Sequence, residues 1–401
     1  MKAPIDGLRA YMTAHRDEMI SLWKDLVNHQ AGSHEIEKVN GVMGFLKDRF
    51  DREGIPCHLV ENPGAPYVLV AEINGEVAEK PLLLAGHCDT VFPSGSYPEN
   101  PFTIDEEGFA HGPGVVDMKG GVAEAFYVLK ALKDFDFHDR PVKLVLVGDE
   151  EISHVPGRAD KILMEEAKGA LCCFNMESGR LDHCLTVGRK GGMDCHITVH
   201  GVAAHAGNDY LKGRNAIIEM AHKLPLIQGL TQYEEGLTVS VGVIQGGMVS
   251  NAVPDICRAV LDVRYKKLEH MTYIQDAIRK VCEKTFIEGT TTEVEFVAPM
   301  PAFEETEANH TLLDYVNEVA VKCGYTPFQP IYVGGMSDAS YISSVGVPTV
   351  CSMGAAGSGA HTKEEKASVQ SFLDRWMIVT AAVMEGENLG LRFARGFTND
   401  M

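Results

Sequence analysis

Four strand-length apolar runs that lack polar alternation, at 67–73, 82–86, 142–148 and 170–175, constrain this chain more than any other feature of its sequence. A strand with apolar side chains at successive positions has both faces buried, so it belongs inside a sheet covered on each side. Helical patterns at 122–132, 312–322 and 372–384 lie between or after these runs. Strands alternating with helices imply an α/β fold in which a mainly parallel sheet carries helices on both faces. A length of 401 residues leaves room for two or three domains.

The middle of the chain follows a different rule. Over 193–199 the apolar Cys195, Ile197 and Val199 alternate with Asp194, His196 and Thr198, the pattern of a strand with one wet face. Helical patterns near 216–224 and 274–286, with strands at 237–243, 258–263 and 293–297, complete a βαββαβ order, that of a small two-layer α/β module. The module reads as an insertion over 189–299, bordered by the glycine-bearing 188–192 and the proline-bearing 298–301. It divides the main domain into 1–188 and 300–401.

Charge and cysteine usage narrow the partners. With 36 Lys and Arg against 56 Asp and Glu, a net charge of -20 repels phosphate backbones and anionic membranes, so neither nucleic acid nor membrane is an expected partner. No stretch approaches the ~18 continuous apolar residues of a membrane span, and residues 1–17 offer no apolar run for a signal peptide. The ten cysteines are scattered, lack paired CxxC spacing and include Cys172 and Cys173 inside a buried run, as reduced core residues would. A cytoplasmic protein is expected.

In Gly86-His87-Cys88-Asp89 the imidazole and carboxylate lie two apart at the C-terminal end of a predicted strand. Period-two geometry aims both to one side, at the edge where open α/β sheets bind ligands. Asp89 there could orient His87 through its other ring nitrogen; the ordinary alternative is a histidine bonded locally. The glycine-rich His111-Gly112-Pro113-Gly114-Val115-Val116-Asp117 places Asp117 just before a helix, as a cap or as a ligand. It is a poor dinucleotide fingerprint, because Asp117 replaces the third glycine and would repel a pyrophosphate.

The run 142–148 ends in Asp149, Glu150 and Glu151, either a solvated acidic turn or, if buried, a group of like charges that needs a cation. One cation-bound glutamate beside a free one is what metal-assisted hydrolysis requires, since the free one can take a proton from the attacking water. Glu177 ends another apolar run, and His361 follows a predicted strand at 348–353. Together His87, Asp117, Glu151, Glu177 and His361 supply two imidazoles and three carboxylates, a donor set that suits zinc, with cobalt or manganese as substitutes.

These segments, in this order, resemble the aminoacylase and carboxypeptidase family of two-zinc metallopeptidases, which includes succinyl-diaminopimelate desuccinylase, acetylornithine deacetylase and bacterial glutamate carboxypeptidase. The similarity runs over nearly the whole chain. It implies that His87 and Glu177 hold one metal ion, that Glu151 and His361 hold the other, and that Asp117 bridges them. It also implies that Asp89 steadies His87, that Glu150 is the general base and that the Asp117–Met118 peptide bond is cis.

The inserted module resembles the family's lid and dimerisation domain through Gly201-Val202-Ala203-Ala204-His205-Ala206-Gly207. The resemblance implies a homodimer in which His205 reaches the partner subunit's active site to polarise the scissile carbonyl. Asn251, in Ser250-Asn251-Ala252-Val253-Pro254, and Arg264, in Asp262-Val263-Arg264, resemble lid residues that contact substrate, the arginine suiting a carboxylate. Segments 334–341 and 359–362 are most similar to glutamate carboxypeptidase, but Met300 and Leu185 stand where a basic residue and a lysine are expected.

The expected reaction is hydrolysis of the amide bond of a small peptide or N-acyl amino acid with a free carboxylate, in carboxypeptidase or dipeptidase fashion. N-acyl amino acid deacylation is the alternative. Two further readings are a catalytically inactive metal-binding protein of the same fold and, on the weak glycine pattern alone, a nucleotide-dependent oxidoreductase.

Overall fold

The unalternated runs become strands of one six-stranded sheet: β1 (Cys57–Val60), β2 (Val68–Ile73), β3 (Leu82–His87), β4 (Val142–Val147), β5 (Cys172–Asn175) and the short Thr349–Val350. The computed structural model describes residues 5–386 and 389–396. The sheet order is β1-β2-β4-β3-β5 followed by Thr349–Val350. Strands β4, β3, β5 and Thr349–Val350 run parallel, with Leu82 opposite both Val142 and Cys172. Strand β2 departs from the parallel pattern, pairing antiparallel with β1 and with β4.

Both faces of the sheet are covered, which is why its sequence does not alternate. On one face Leu82, Leu84, Leu144, Leu146 and Phe174 join a large core with Trp23 and Trp376; on the other, Leu83, Ala85, Val145 and Val147 are equally buried. Each Leu, Val and Phe among them contributes roughly 1.5–3 kcal/mol by leaving water. Helices Gly120–Asp134 and Val369–Met384 serve the first face, and Ala159–Ala167 packs on β4. Ahead of the sheet run two helices that the apolar runs do not announce, Ile5–Asn28 and Ile36–Arg52. In the first, Met19, Leu22, Trp23, Leu26 and Val27 recur at the three-and-four spacing of a single buried stripe.

A second, five-stranded sheet made of very short pieces matters more to the site than its size indicates. Its order is Thr103–Ile104, Phe109–His111, Lys366–Ser368, Ala356–Ser358, Gly179–Arg180. These strands lead into Asp117, flank His361 and follow Glu177, so pairing them gathers three turns distant in sequence.

The chain separates into two compact units. One comprises the chain up to Gly188, Glu305–Val333 and the chain from Ser337 onward; the other comprises Arg189–Glu304 with Gly334–Met336. The second unit holds β6 (Gly191–His200), β7 (Thr238–Gly246), β8 (Ile256–Tyr265) and β9 (Thr291–Met300), antiparallel in the order β7-β8-β6-β9. Helices Ala216–Gln228 and Leu268–Cys282 cover the face that carries Cys195, Ile197, Val199 and Leu261. Strand β7 forms an edge and presents Val243 and Ile244, 46% and 53% exposed.

Candidate active site

Parallel register brings the acid and imidazole groups to one edge of the main sheet. His87 is the last residue of β3 and lies opposite Val147 of β4, so the Gly148-Asp149-Glu150-Glu151 turn opens beside it. Glu177 follows β5 by two residues. Asp117 stands on a turn that begins at Gly114, whose φ of 69° is left-handed. His361 itself holds a φ of 65°, a region uncommon for a residue with a side chain. The Asp117–Met118 peptide bond is cis, as the resemblance implies.

Asp117 is the centre of the arrangement. Its Oδ1 lies 3.2 Å from His87 Nε2 and its Oδ2 lies 3.4 Å from His361 Nε2. Glu177 Oε1 is 3.8 Å from the same His87 nitrogen, and Glu151 Oε2 is 3.0 Å from the same His361 nitrogen. His87, Asp117 and Glu177 thus form one group and Asp117, Glu151 and His361 another, with one donor atom per residue within 4.8 Å of the others in each. Two ligands on a tetrahedral ion with ~2.0–2.2 Å bonds lie roughly 3.3–3.6 Å apart, so both groups fit a divalent cation, and their nitrogen and oxygen donors suit zinc.

Asp89, fully buried, organises the edge from behind. Its Oδ1 is 3.3 Å from His87 Nδ1, leaving Nε2 to face Asp117. The same carboxylate accepts the backbone N–H of Glu150 at 3.3 Å and of Glu151 at 3.2 Å. Burial is the largest single influence and pushes its pKa up, but the bond and charge of His87, the Ser33 hydroxyl and the Glu151 N–H together outweigh it and hold the carboxyl below the usual range. The Glu150 carboxylate is tied by no hydrogen bond among the described residues. Burial drives its pKa well above the ordinary value; His87 opposes the rise, and Glu177, Asp338 and Glu151 reinforce it. Crowded carboxylates of this kind call for positive charge, which a cation held by each group would supply.

Glu365 is a site residue that sequence reading passed over. Its buried carboxylate accepts the backbone N–H groups of Gly114 at 3.0 Å, Val116 at 2.9 Å and Asp117 at 3.1 Å. Burial raises its pKa to about 7 against the effect of those three bonds. The one signal in the sequence is an acid four residues after His361. Leu185 and Met300, by contrast, are core residues with 0% and 1% exposure, so no cation stands at either place.

His205, Asn251 and Arg264 belong to the second unit. His205 ends a two-residue strand paired with Ala252–Val253, and its Nδ1 accepts the N–H groups of Gly207 and Asn208, each at 3.1 Å. A neutral ring held in this way carries its proton on Nε2. The Asn251 carbonyl accepts the N–H of Ala206 at 2.9 Å. Arg264 grips Asp262, with Nε 2.9 Å and Nη2 2.8 Å from Oδ2.

Donor groups arranged about a shared carboxylate, with a half-buried glutamate left free beside them, fit a metal-dependent hydrolase. The model of the family described as Peptidase family M20/M25/M40 matches residues 83–385. Carboxypeptidase G2 of Pseudomonas sp. (strain RS-16) is 26% identical over 377 residues, 93% of this chain and 90% of that protein. Succinyl-diaminopimelate desuccinylase of Methylobacterium nodulans is 28% identical over 367 residues, 86% of this chain and 90% of that protein. Among solved structures, aminopeptidase PepT from Bacillus cereus shares the fold with a TM-score of 0.75 at 22% identity, covering 92% of this chain and 98% of that one. The chain belongs to peptidase family M20/M25/M40. It is an enzyme of amide-bond hydrolysis, and the oxidoreductase reading of its glycine-rich turn falls.

Proposed function

We propose that the protein cleaves the amide bond of a small peptide or N-acyl amino acid that bears a free carboxylate, using two divalent cations, zinc in the first instance. His87 and Glu177 would hold one, Glu151 and His361 the other, and Asp117 would serve both. The observation that carries the reading is the divided Asp117 carboxylate, one oxygen facing each imidazole, with Glu150 untied at its side.

Cations bound there supply positive charge that acidifies the attacking water and polarises the carbonyl. Glu150 takes one proton from that water as its oxygen bonds to the carbonyl carbon. As the carbon–nitrogen bond breaks, Glu150 gives the proton to the departing nitrogen and the base is restored; the water's second proton passes from the new carboxyl group to the amine, so a carboxylate and an ammonium group leave. Asp89 keeps this exchange in register by fixing His87 and the backbone of Glu150.

The Nε2 proton of the partner subunit's His205 is the donor suited to the carbonyl oxygen. In the same reading Asn251 and Arg264 receive the substrate, and the Arg264 N–H groups not used by Asp262 face its free carboxylate. The inserted unit is the lid and the dimer contact. The exposed Val243 and Ile244 on its β7 edge support a homodimer, because a bare apolar edge invites a second strand. Free cysteines throughout support a cytoplasmic setting, and among the described residues no helix is long and apolar enough to cross a membrane.

N-acyl amino acid deacylation is the second reading. Buried Leu185 and Met300 favour it, since neither offers a cation to a glutamate side chain.

The test is Glu150→Gln. We expect kcat to fall by roughly 10²- to 10⁴-fold with both cations still bound by elemental analysis. Unchanged turnover at full occupancy would remove Glu150 from the mechanism.

A further inference from the structure

Six residues link the end of β4 to a second buried ion-pair system that the hydrolytic scheme does not use. His154 is 2% exposed, and its two ring nitrogens meet two buried aspartates: Nδ1 lies 2.7 Å from Asp149 Oδ1, and Nε2 lies 2.8 Å from Asp338 Oδ1. A neutral imidazole has a single N–H, so it can satisfy one of these carboxylates while setting a lone pair against the other. Only the doubly protonated ring donates to both. Asp149 Oδ2 also accepts from Asn62 Nδ2 at 3.1 Å, and the Tyr341 ring meets His154 edge-on at 5.3 Å. No other charged group among the described residues bonds to the imidazole.

The clamp closes the loop that carries Glu150 and Glu151. Asp149 begins that loop and His154 ends it, joined through their side chains and by the His154 N–H to the Asp149 carbonyl at 2.9 Å. Ser153 and His154 hold successive left-handed backbones, with φ of 52° and 60°, which residues with side chains adopt only where the surroundings fix them. Asp338, at the start of helix Ala339–Ser344, anchors the far side of the ring. From the opposite side Asp89 takes the N–H groups of Glu150 and Glu151. The backbone of Glu150 is therefore held at both flanks while its carboxylate stays free.

We propose that His154, held as a cation between Asp149 and Asp338, is a positioning residue that sets the reach of Glu150; this rests on Glu150 being the general base. A base displaced by about 1 Å can lose about 100-fold in rate, whereas substrate and cation binding need not change.

The experiment uses the cation-loaded full chain with His154→Gln, Asp338→Asn and Tyr341→Leu. The first two variants are expected to lose at least about ten-fold in kcat with KM within about two-fold and both cations retained. Tyr341→Leu, which removes the edge-on ring and keeps His154, Asp149 and Asp338 in the chain, is expected to stay within about two-fold of the parent kcat. An unchanged kcat in the first two, a loss matched by loss of cation, or an equal loss in Tyr341→Leu would each overturn the proposal. In parallel, nitrogen-edited NMR at pH 8 should show two ring N–H protons for one histidine that vanish in His154→Gln; a single N–H there would also overturn it. The NMR result does not depend on turnover, so a failure of the clamp is distinguishable from a failure of the proposed function.

Discussion

Glu365 performs no step of the reaction, yet three backbone N–H groups of the Asp117 turn end on it. Glu365→Ala strands those donors in a buried place, and each unsatisfied group costs roughly 1–3 kcal/mol. A lower Tm and weaker cation binding are expected, read by thermal melts and by cation titration; Glu365→Gln, which keeps an acceptor oxygen, should fall between. Parent-like melting and affinity in Glu365→Ala would mean that the turn holds Asp117 unaided. This residue also marks where sequence reading stops. His87, Glu151 and Glu177 were legible because each closes an apolar run, and strand ends gather at one edge of a parallel sheet. Glu365 meets partners 248–251 residues away, and His154 meets Asp338 across 184, so no local pattern announces either.

At the scale of elements, the contacts are tightest where helix Gly120–Asp134 begins. A Cβ at Gly121 would run into the carbonyl oxygen of Met176, the residue before Glu177. Gly121→Ala must part the helix from the end of β5, at a cost of about 1–3 kcal/mol, and we expect lower Tm together with weaker binding of the cation assigned to His87 and Glu177. A melt and titration indistinguishable from the parent would show that the helix can move aside freely. The long strands and the alternating β6 were readable from periodicity, because burial on two faces or on one writes itself into successive residues. The strands at Thr103–Ile104 and Gly179–Arg180 were not, since two residues carry no period. Nor was the reversed direction of β2, whose buried residues look the same either way along the sheet.

At the scale of the whole molecule, the chain concentrates acidic groups at one edge of a sheet while carrying a net charge of -20, an arrangement that favours cations locally. Cation removal should therefore abolish catalysis and also leave the carboxylates of the site repelling one another. The most direct measurement strips the protein with chelator, reloads it with zinc, cobalt or manganese, and offers N-acyl amino acids and dipeptides beside the same compounds with blocked C-termini. The account predicts release of free amino acid only with cation present and only from substrates with a free carboxylate. Turnover without cation, or equal cleavage of the blocked compounds, would contradict it.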